Sequence, residues 1–111
     1  MQLFLYGTLL DPRTLARSAG EPALASRLRP AVLRGWQRVR ARNSRYPTLA
    51  RDPDGKVQGA VLSVPAAACR RLQAYEGPDY RLVRVLAETR GKPVPALAWI
   101  ASSASRRAWR P

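Results

Sequence analysis

Two short segments of this chain carry residue types that could do chemistry. The first is Tyr6-Gly7-Thr8-Leu9, set directly after a short apolar run. Backbone N–H groups freed where a strand ends can form an anion-binding concavity. Gly7 would let a ligand approach the main chain, and Thr8 could add a hydroxyl. The same tetrapeptide also reads as an ordinary turn. The second segment is Tyr75-Glu76-Gly77-Pro78-Asp79-Tyr80. Gly77-Pro78 stops the helix pattern before it, which leaves Glu76 at a helix C-terminus. The helix dipole disfavours a carboxylate there by about 0.3–1 kcal/mol. Partial burial against Tyr75 and Tyr80 would raise its pKa further, as a general acid/base working near neutral pH requires. A surface glutamate paired with Arg81 or Arg84 is the alternative.

Other chemistries are excluded by composition. The chain has no histidine, so Ser-His-Asp and Cys-His sites are absent. A single cysteine, Cys69, supplies neither a disulfide nor a zinc ligand set. No G-x-G-x-x-G and no G-x-x-x-x-G-K-[ST] occurs. Of the other carboxylates, Asp11 reads as a helix cap and Asp54 as a turn former, while Glu21, Asp52 and Glu88 sit beside turn signals.

The 111 residues are one domain's length, and 46% hydrophobic content favours a packed core. No apolar run is long enough to span a membrane; without a basic start at Met1-Gln2, and with Gly7-Thr8 interrupting the apolar stretch, no secretory signal is expected, and the lone cysteine suits a reducing cytoplasm. Twenty basic residues against seven acidic ones give a formal charge of +13, and all but Lys56 and Lys92 of the twenty are arginine. Such a surface could bind a polyanion. The scatter of the arginines and the Ala and Pro abundance fit the coding bias of a GC-rich genome better. Arg34, Arg38, Arg40, Arg42 and Arg45 are the densest stretch. Few aromatics argue against a stacking RNA binder, so a nucleic-acid partner is not expected.

The elements that must position these residues follow from pattern. Gln2 to Tyr6 reads as a buried strand. Asp11-Pro12 starts a helix over Pro12 to Ser18 that ends at Gly20. Ala31 to Arg40 reads as a strand kinked at Gly35, and Arg45 to Ala50 as a short extended piece. Pro53-Asp54-Gly55 is a turn, with Val57 to Val64 forming a hairpin across it. Pro65 to Tyr75 is the clearest helix, with Ala68, Leu72 and Tyr75 on one face. Tyr80 to Glu88 alternates as a strand, with Tyr80, Leu82, Arg84 and Leu86 on one side. Gly91-Lys92-Pro93 turns into a last strand, Pro95 to Ala101. Residues 1–101 form one domain, and 102–111 a frayed basic tail. The class is α+β, with a curled or barrel-like sheet. Cys69, Trp36 and Trp99 read as packing residues.

Taken in order, these pieces resemble the gamma-glutamylcyclotransferase-like family, including its gamma-glutamylamine cyclotransferases. The matching residues are Leu3 to Leu9, Tyr46-Pro47-Thr48-Leu49, Val57 to Leu62, Leu72 to Gly77, Tyr80 to Val85 and Ala98-Trp99-Ile100. The resemblance implies a small mixed β-barrel with short flanking helices and a cavity at one end. It implies that Tyr6, Gly7, Thr8 and Leu9 grip a γ-glutamyl moiety and that Glu76 is the acid/base. The substrate's α-amine would attack its own γ-amide, giving 5-oxoproline and a free amine or amino acid, with no cofactor and no metal. Tyr46 or Tyr80 would position the carboxylate or close the cavity. The chain departs from the pattern at Leu82, where an arginine is frequent, and at Gln73-Ala74, where an acidic residue is commoner. A non-catalytic module binding another metabolite in the same cavity is the alternative to an enzyme, and a polyanion-binding protein is a third reading.

Overall fold

A computed structural model describes residues 1–41, 46–101 and 106–108, the last three by backbone alone. Six strands and two α-helices follow in order: β1 (Gln2–Leu5), α1 (Pro12–Ala19), β2 (Arg29–Ala41), β3 (Pro47–Ser63), α2 (Ala66–Glu76), β4 (Tyr80–Thr89), β5 (Lys92–Ala101) and β6 (Arg106–Ala108). Short 3-10 segments at Thr8–Leu10 and Pro22–Arg27 flank α1. Strand order β3-β1-β5-β4-β2 closes through a β2–β3 pairing, so five strands form a mixed barrel. The β1–β5 pair is parallel and the others are antiparallel. Closure removes open edges. β6 extends β2 beyond the barrel, so part of the stretch read as a frayed tail is in the sheet.

Side-chain alternation divides the interior in two. Phe4, Leu33, Leu49, Val57, Val61, Val85 and Ile100 fill the barrel. Leu3, Leu5, Leu62 and Trp99 face outward and meet Leu15 of α1 and Cys69 and Leu72 of α2. β1 is buried on both faces, which is why it reads as an unbroken apolar run. Cys69 belongs to this second core, and burial pushes its thiol pKa up. Trp36 and Trp99 are both buried.

The helices obey their local signals. The Asp11 carboxylate accepts from the Thr14 N–H at 2.9 Å, and these bonds hold its pKa down. Gly20 ends α1 in the left-handed region, at φ +73°. The arrangement around Pro53-Asp54-Gly55 differs from expectation. Arg51 stands opposite Trp36 and Lys56 opposite Arg34, so residues 52–55 bulge out opposite Gly35 alone. The two pieces predicted as hairpin partners are one strand, β3, and both pair with β2. The Asp52 side chain accepts the Asp54 N–H at 3.1 Å, so the turn chemistry is real, but it builds a bulge. A methyl on Gly55 would lie 2.2 Å from the Trp36 carbonyl oxygen, which explains the glycine.

Two smaller differences lie in the β4–β5 hairpin. Its turn is Arg90-Gly91, both at positive φ (53° and 75°), and Lys92 already pairs with Thr89. Both positive values suit the right-handed twist of a two-residue hairpin. On β4 the side toward the barrel core holds Val83, Val85 and Ala87, while Leu86 is 60% exposed.

Candidate active site

One end of the barrel collects the termini of several elements around a cavity of about 590 Å³. β1 delivers Tyr6 and the turn through Gly7, Thr8 and Leu9. α2 delivers Tyr75 and Glu76 from its last turn, and the start of β4 delivers Tyr80. Tyr46 and Pro47 enter β3, and Trp99 and Ala101 leave β5. Every site residue expected from sequence, namely Tyr6, Gly7, Thr8, Leu9, Tyr46, Glu76 and Tyr80, lines this one cavity.

Glu76 is half-buried, and among the described residues no hydrogen bond or ion pair reaches its carboxylate. Burial alone pushes its pKa from 4.5 up to about 7. Arg81 and Arg84 are exposed and do not pair with it. Among the described residues lining the cavity, Asp79 is the other carboxylate and none is a cation.

Tyr6 and Tyr80, beside Glu76, both have their phenol pKa raised. Tyr6 is buried, its hydroxyl donates to the Trp99 carbonyl, and the Thr48 hydroxyl contacts it. Burial, reinforced by the Glu76 charge, raises its pKa well above the usual phenol value. Tyr80 is raised for the same reasons in the same order, with Asp79 adding to the effect.

The Tyr6–Leu9 turn is tied down through its carbonyls. Arg38 donates to the carbonyls of Tyr6 and Gln58 at 3.0 and 2.9 Å. The Leu10 and Asp11 N–H groups close the 3-10 segment on Gly7 and Thr8. The N–H groups of Gly7, Thr8 and Leu9 donate to no described residue. Backbone donors of this kind are available to a carboxylate or an oxyanion. Thr8 Oγ1 and the Tyr75 hydroxyl share a hydrogen bond of 2.8 Å, which joins the turn to the end of α2.

Several residues here were not singled out from sequence. Thr48 is fully buried, and its Oγ1 accepts the Ala101 N–H at 2.8 Å. A threonine on a strand gives no signal of that role. Arg38 was one arginine among many. Tyr75, read as cover for Glu76 and as sharing a face with Ala68 and Leu72, is 44% exposed while those two are buried, and Asp79 was not placed. Gln73 makes three hydrogen bonds behind Glu76. Its Nε2 donates to the Gly77 and Tyr80 carbonyls at 3.3 and 3.1 Å, and its Oε1 accepts from the Trp99 indole at 2.7 Å.

Comparison with known proteins agrees with this arrangement. The family model described as gamma-glutamyl cyclotransferase, AIG2-like matches residues 3–110. Protein AIG2 C of Arabidopsis thaliana is 33% identical over 84 residues, covering 75% of this chain and 49% of the relative. The chain thus spans about half the length of that curated relative. A second Arabidopsis thaliana protein, of solved solution structure, is 28% identical with a TM-score of 0.77, covering 90% of this chain and 61% of that one. A gamma-glutamyl cyclotransferase of solved structure superposes with a TM-score of 0.79 over 97% of this chain and 69% of its own. At 16% identity that last likeness is one of fold. With its closed barrel and a family match running over nearly the whole chain, this protein belongs to the gamma-glutamyl cyclotransferase, AIG2-like family.

Proposed function

We propose that this protein is a cyclotransferase that converts a small γ-glutamyl amine or γ-glutamyl amino acid into 5-oxoproline and a free amine. The observation that carries the reading is the placement of Glu76. An unpaired, half-buried carboxylate with a pKa of about 7 shares a cavity with a turn whose N–H groups are unspent. The Glu76 carboxylate takes a proton from the substrate's α-ammonium. The freed amine nitrogen attacks the γ-carbonyl carbon and closes a five-membered ring. Protonated Glu76 then returns the proton to the leaving nitrogen as the amide C–N bond breaks, and the second proton shed by the ring nitrogen passes through the freed Glu76 carboxylate to the released amine, which departs as its ammonium.

The turn anchors the substrate's α-carboxylate or the developing oxyanion. Holding a flexible chain in the ring-closing conformation contributes much of the acceleration, since well-oriented intramolecular reactions gain about 7–11 kcal/mol. Tyr6 and Tyr80 supply neutral hydroxyls at the cavity wall. No helix among the described residues is long and apolar enough to cross a membrane. The single, buried Cys69 supports a reducing, cytoplasmic setting for the reaction.

The direct test is 5-oxoproline release by the purified protein from a panel of γ-glutamyl amines and dipeptides. Failure with every member of the panel would end the cyclotransferase reading. Where turnover occurs, pH should control it in a definite direction. Glu76 must be ionised to accept the proton, so kcat/KM should rise from pH 6 to 8 with a midpoint near 7. A profile flat across that range would remove Glu76 from the role of base.

Gly7 offers a second check. Nothing lies within 4 Å of a methyl built there, although the residue lines the cavity. Gly7→Ala should therefore melt close to the parent protein while KM rises about tenfold or more, because the methyl keeps the ligand off the backbone. Equal KM values would show that the substrate does not approach the turn at Gly7.

A further inference from the structure

Gln73 lies one helical turn before Glu76 and is half-buried at the back of the cavity wall. The chemistry of its three partners fixes which way its amide points. The Trp99 indole can only donate, and the Gly77 and Tyr80 carbonyls can only accept. Oε1 must therefore face the indole and Nε2 the two carbonyls, as the distances of 2.7, 3.3 and 3.1 Å describe. A carboxylate at this position could serve the indole but neither carbonyl. The two carbonyls bracket the Gly77–Tyr80 segment, which begins with Gly77 at φ +91° and closes on itself through the Tyr80 N–H and Gly77 carbonyl at 3.3 Å. This segment runs directly on from Glu76 and carries Asp79 and Tyr80 into the cavity. Trp99 is buried in the second core, and its carbonyl holds the Tyr6 hydroxyl. One side chain thus ties the segment after Glu76 to the strand that supports the opposite wall.

We infer that Gln73 is a positioning residue: its amide clamps the Gly77–Tyr80 segment to Trp99 and so holds Glu76 in its half-buried, unpaired place facing the Tyr6–Leu9 turn. The inference rests on the cyclotransferase reading for its catalytic consequence but not for the clamp itself. Without the clamp, the Tyr80 carbonyl and the Trp99 indole N–H lose this partner and are open to water, while the Gly77 carbonyl keeps only the Tyr80 N–H. Water entering there reaches Glu76 and stabilises its charged form. The groups facing Glu76 are Tyr6 from β1, Tyr75 from α2, Asp79 from the segment, Tyr80 from β4 and Tyr46 ahead of β3. None of these described groups is a cation that would hold the pKa in place by other means.

The clamp can be read without turnover. The chain has three glutamates, Glu21, Glu76 and Glu88, and no histidine, so carboxyl carbon NMR on glutamate-labelled protein gives a simple titration. The Glu76 midpoint should fall by at least about one pH unit in Gln73→Met as the site hydrates. Val57→Ala, which opens the barrel core instead, should lower the melting temperature and leave that midpoint in place. In the assay, Gln73→Met should lose about 10²-fold in kcat with KM within a few fold, the pattern of a misplaced group rather than of lost binding. An unmoved midpoint in Gln73→Met overturns the inference.

If Gln73→Met does not fold, hydrogen exchange of the Gln73 side-chain amide in the unaltered protein decides. Slow exchange of both protons supports the clamp, and exchange as fast as a free amide overturns it. A shifted midpoint in a protein that releases no 5-oxoproline would leave the clamp standing and reject the reaction. Release of 5-oxoproline with an unmoved midpoint would do the reverse.

Discussion

Glu76→Gln should abolish 5-oxoproline release, with kcat falling by about 10²–10⁴-fold or below detection. Glutamine preserves the shape of the side chain and its place at the end of α2, but it cannot take a proton from an ammonium. Substrate should still bind, because the turn at residues 6–9 is untouched, so the loss belongs in kcat. The same substitution should stabilise the fold, and the sign follows from the direction of the pKa. The Glu76 carboxyl has its pKa raised from 4.5 to about 7 in the folded protein. Below about pH 4.5 it is protonated in both folded and unfolded chains and contributes nothing. Between about pH 4.5 and 7 the unfolded chain ionises while the folded one resists, so stability falls, and above pH 7 the full cost of burying the charge is in place.

Each pKa unit corresponds to about 1.4 kcal/mol, and a half-exposed site realises only part of that, so about 1–3 kcal/mol is at stake. Glutamine removes the penalty. Its melting temperature at pH 8 should exceed the parent's by on the order of 5 °C, with the difference vanishing near pH 4.5. A variant that keeps turning over, or one whose melting advantage over the parent is no larger at pH 8 than at pH 4.5, would contradict a buried catalytic carboxylate. The two measurements fail separately, so the chemistry and the electrostatics are each tested.

The second large effect is expected at Gly59. A methyl there would sit 2.2 Å from the Leu5 carbonyl oxygen and 2.8 Å from a ring carbon of Phe4. Leu5 pairs with Ala60 and Phe4 with Val61, so the obstructing carbonyl belongs to a strand fixed in the barrel. It cannot rotate aside as a long side chain would. Overpacking costs about 1–3 kcal/mol and more where the backbone must shift. Gly59→Ala should therefore lower the melting temperature by about 10 °C or more. The displaced residue, Leu5, immediately precedes Tyr6, so folded molecules should also lose activity. Circular dichroism melts of Gly59→Ala beside Gly7→Ala make the comparison. Equal melting temperatures for the two would show that β1 and β3 yield more easily than their packing suggests.

Glu76 could be found in the sequence because its position follows from local chemistry. A helix pattern stopped by Gly77-Pro78 leaves its last residue at an awkward end, and burial against tyrosines could be read from the same segment. The bulge at residues 52–55 could not. Pro-Asp-Gly makes the same turn whether the chain reverses or merely bows outward, and the choice depends on Trp36 and Arg34 across the ladder. Leu86 illustrates a different limit. Alternation shows which residues share a side of β4, but both sides carry apolar residues, and only the closed barrel decides which is inside. Arg38, Thr48 and Gln73 act through individual hydrogen bonds to carbonyls, a backbone N–H and an indole N–H. Such contacts leave no periodicity to detect.

β1 lies between β3 and β5, with Leu3 paired to Leu62 on one side and to Leu97 on the other. Each pairing demands closure of a long chain loop, whose entropy must be spent before any local reward arrives. The residues that lead into the turn at Tyr6 are therefore among the last to settle during folding. An intermediate that lacks these pairings lacks the Tyr6–Leu9 wall of the candidate pocket. Amide protons of β1 should exchange only through global unfolding, so activity and cooperative folding rise and fall together.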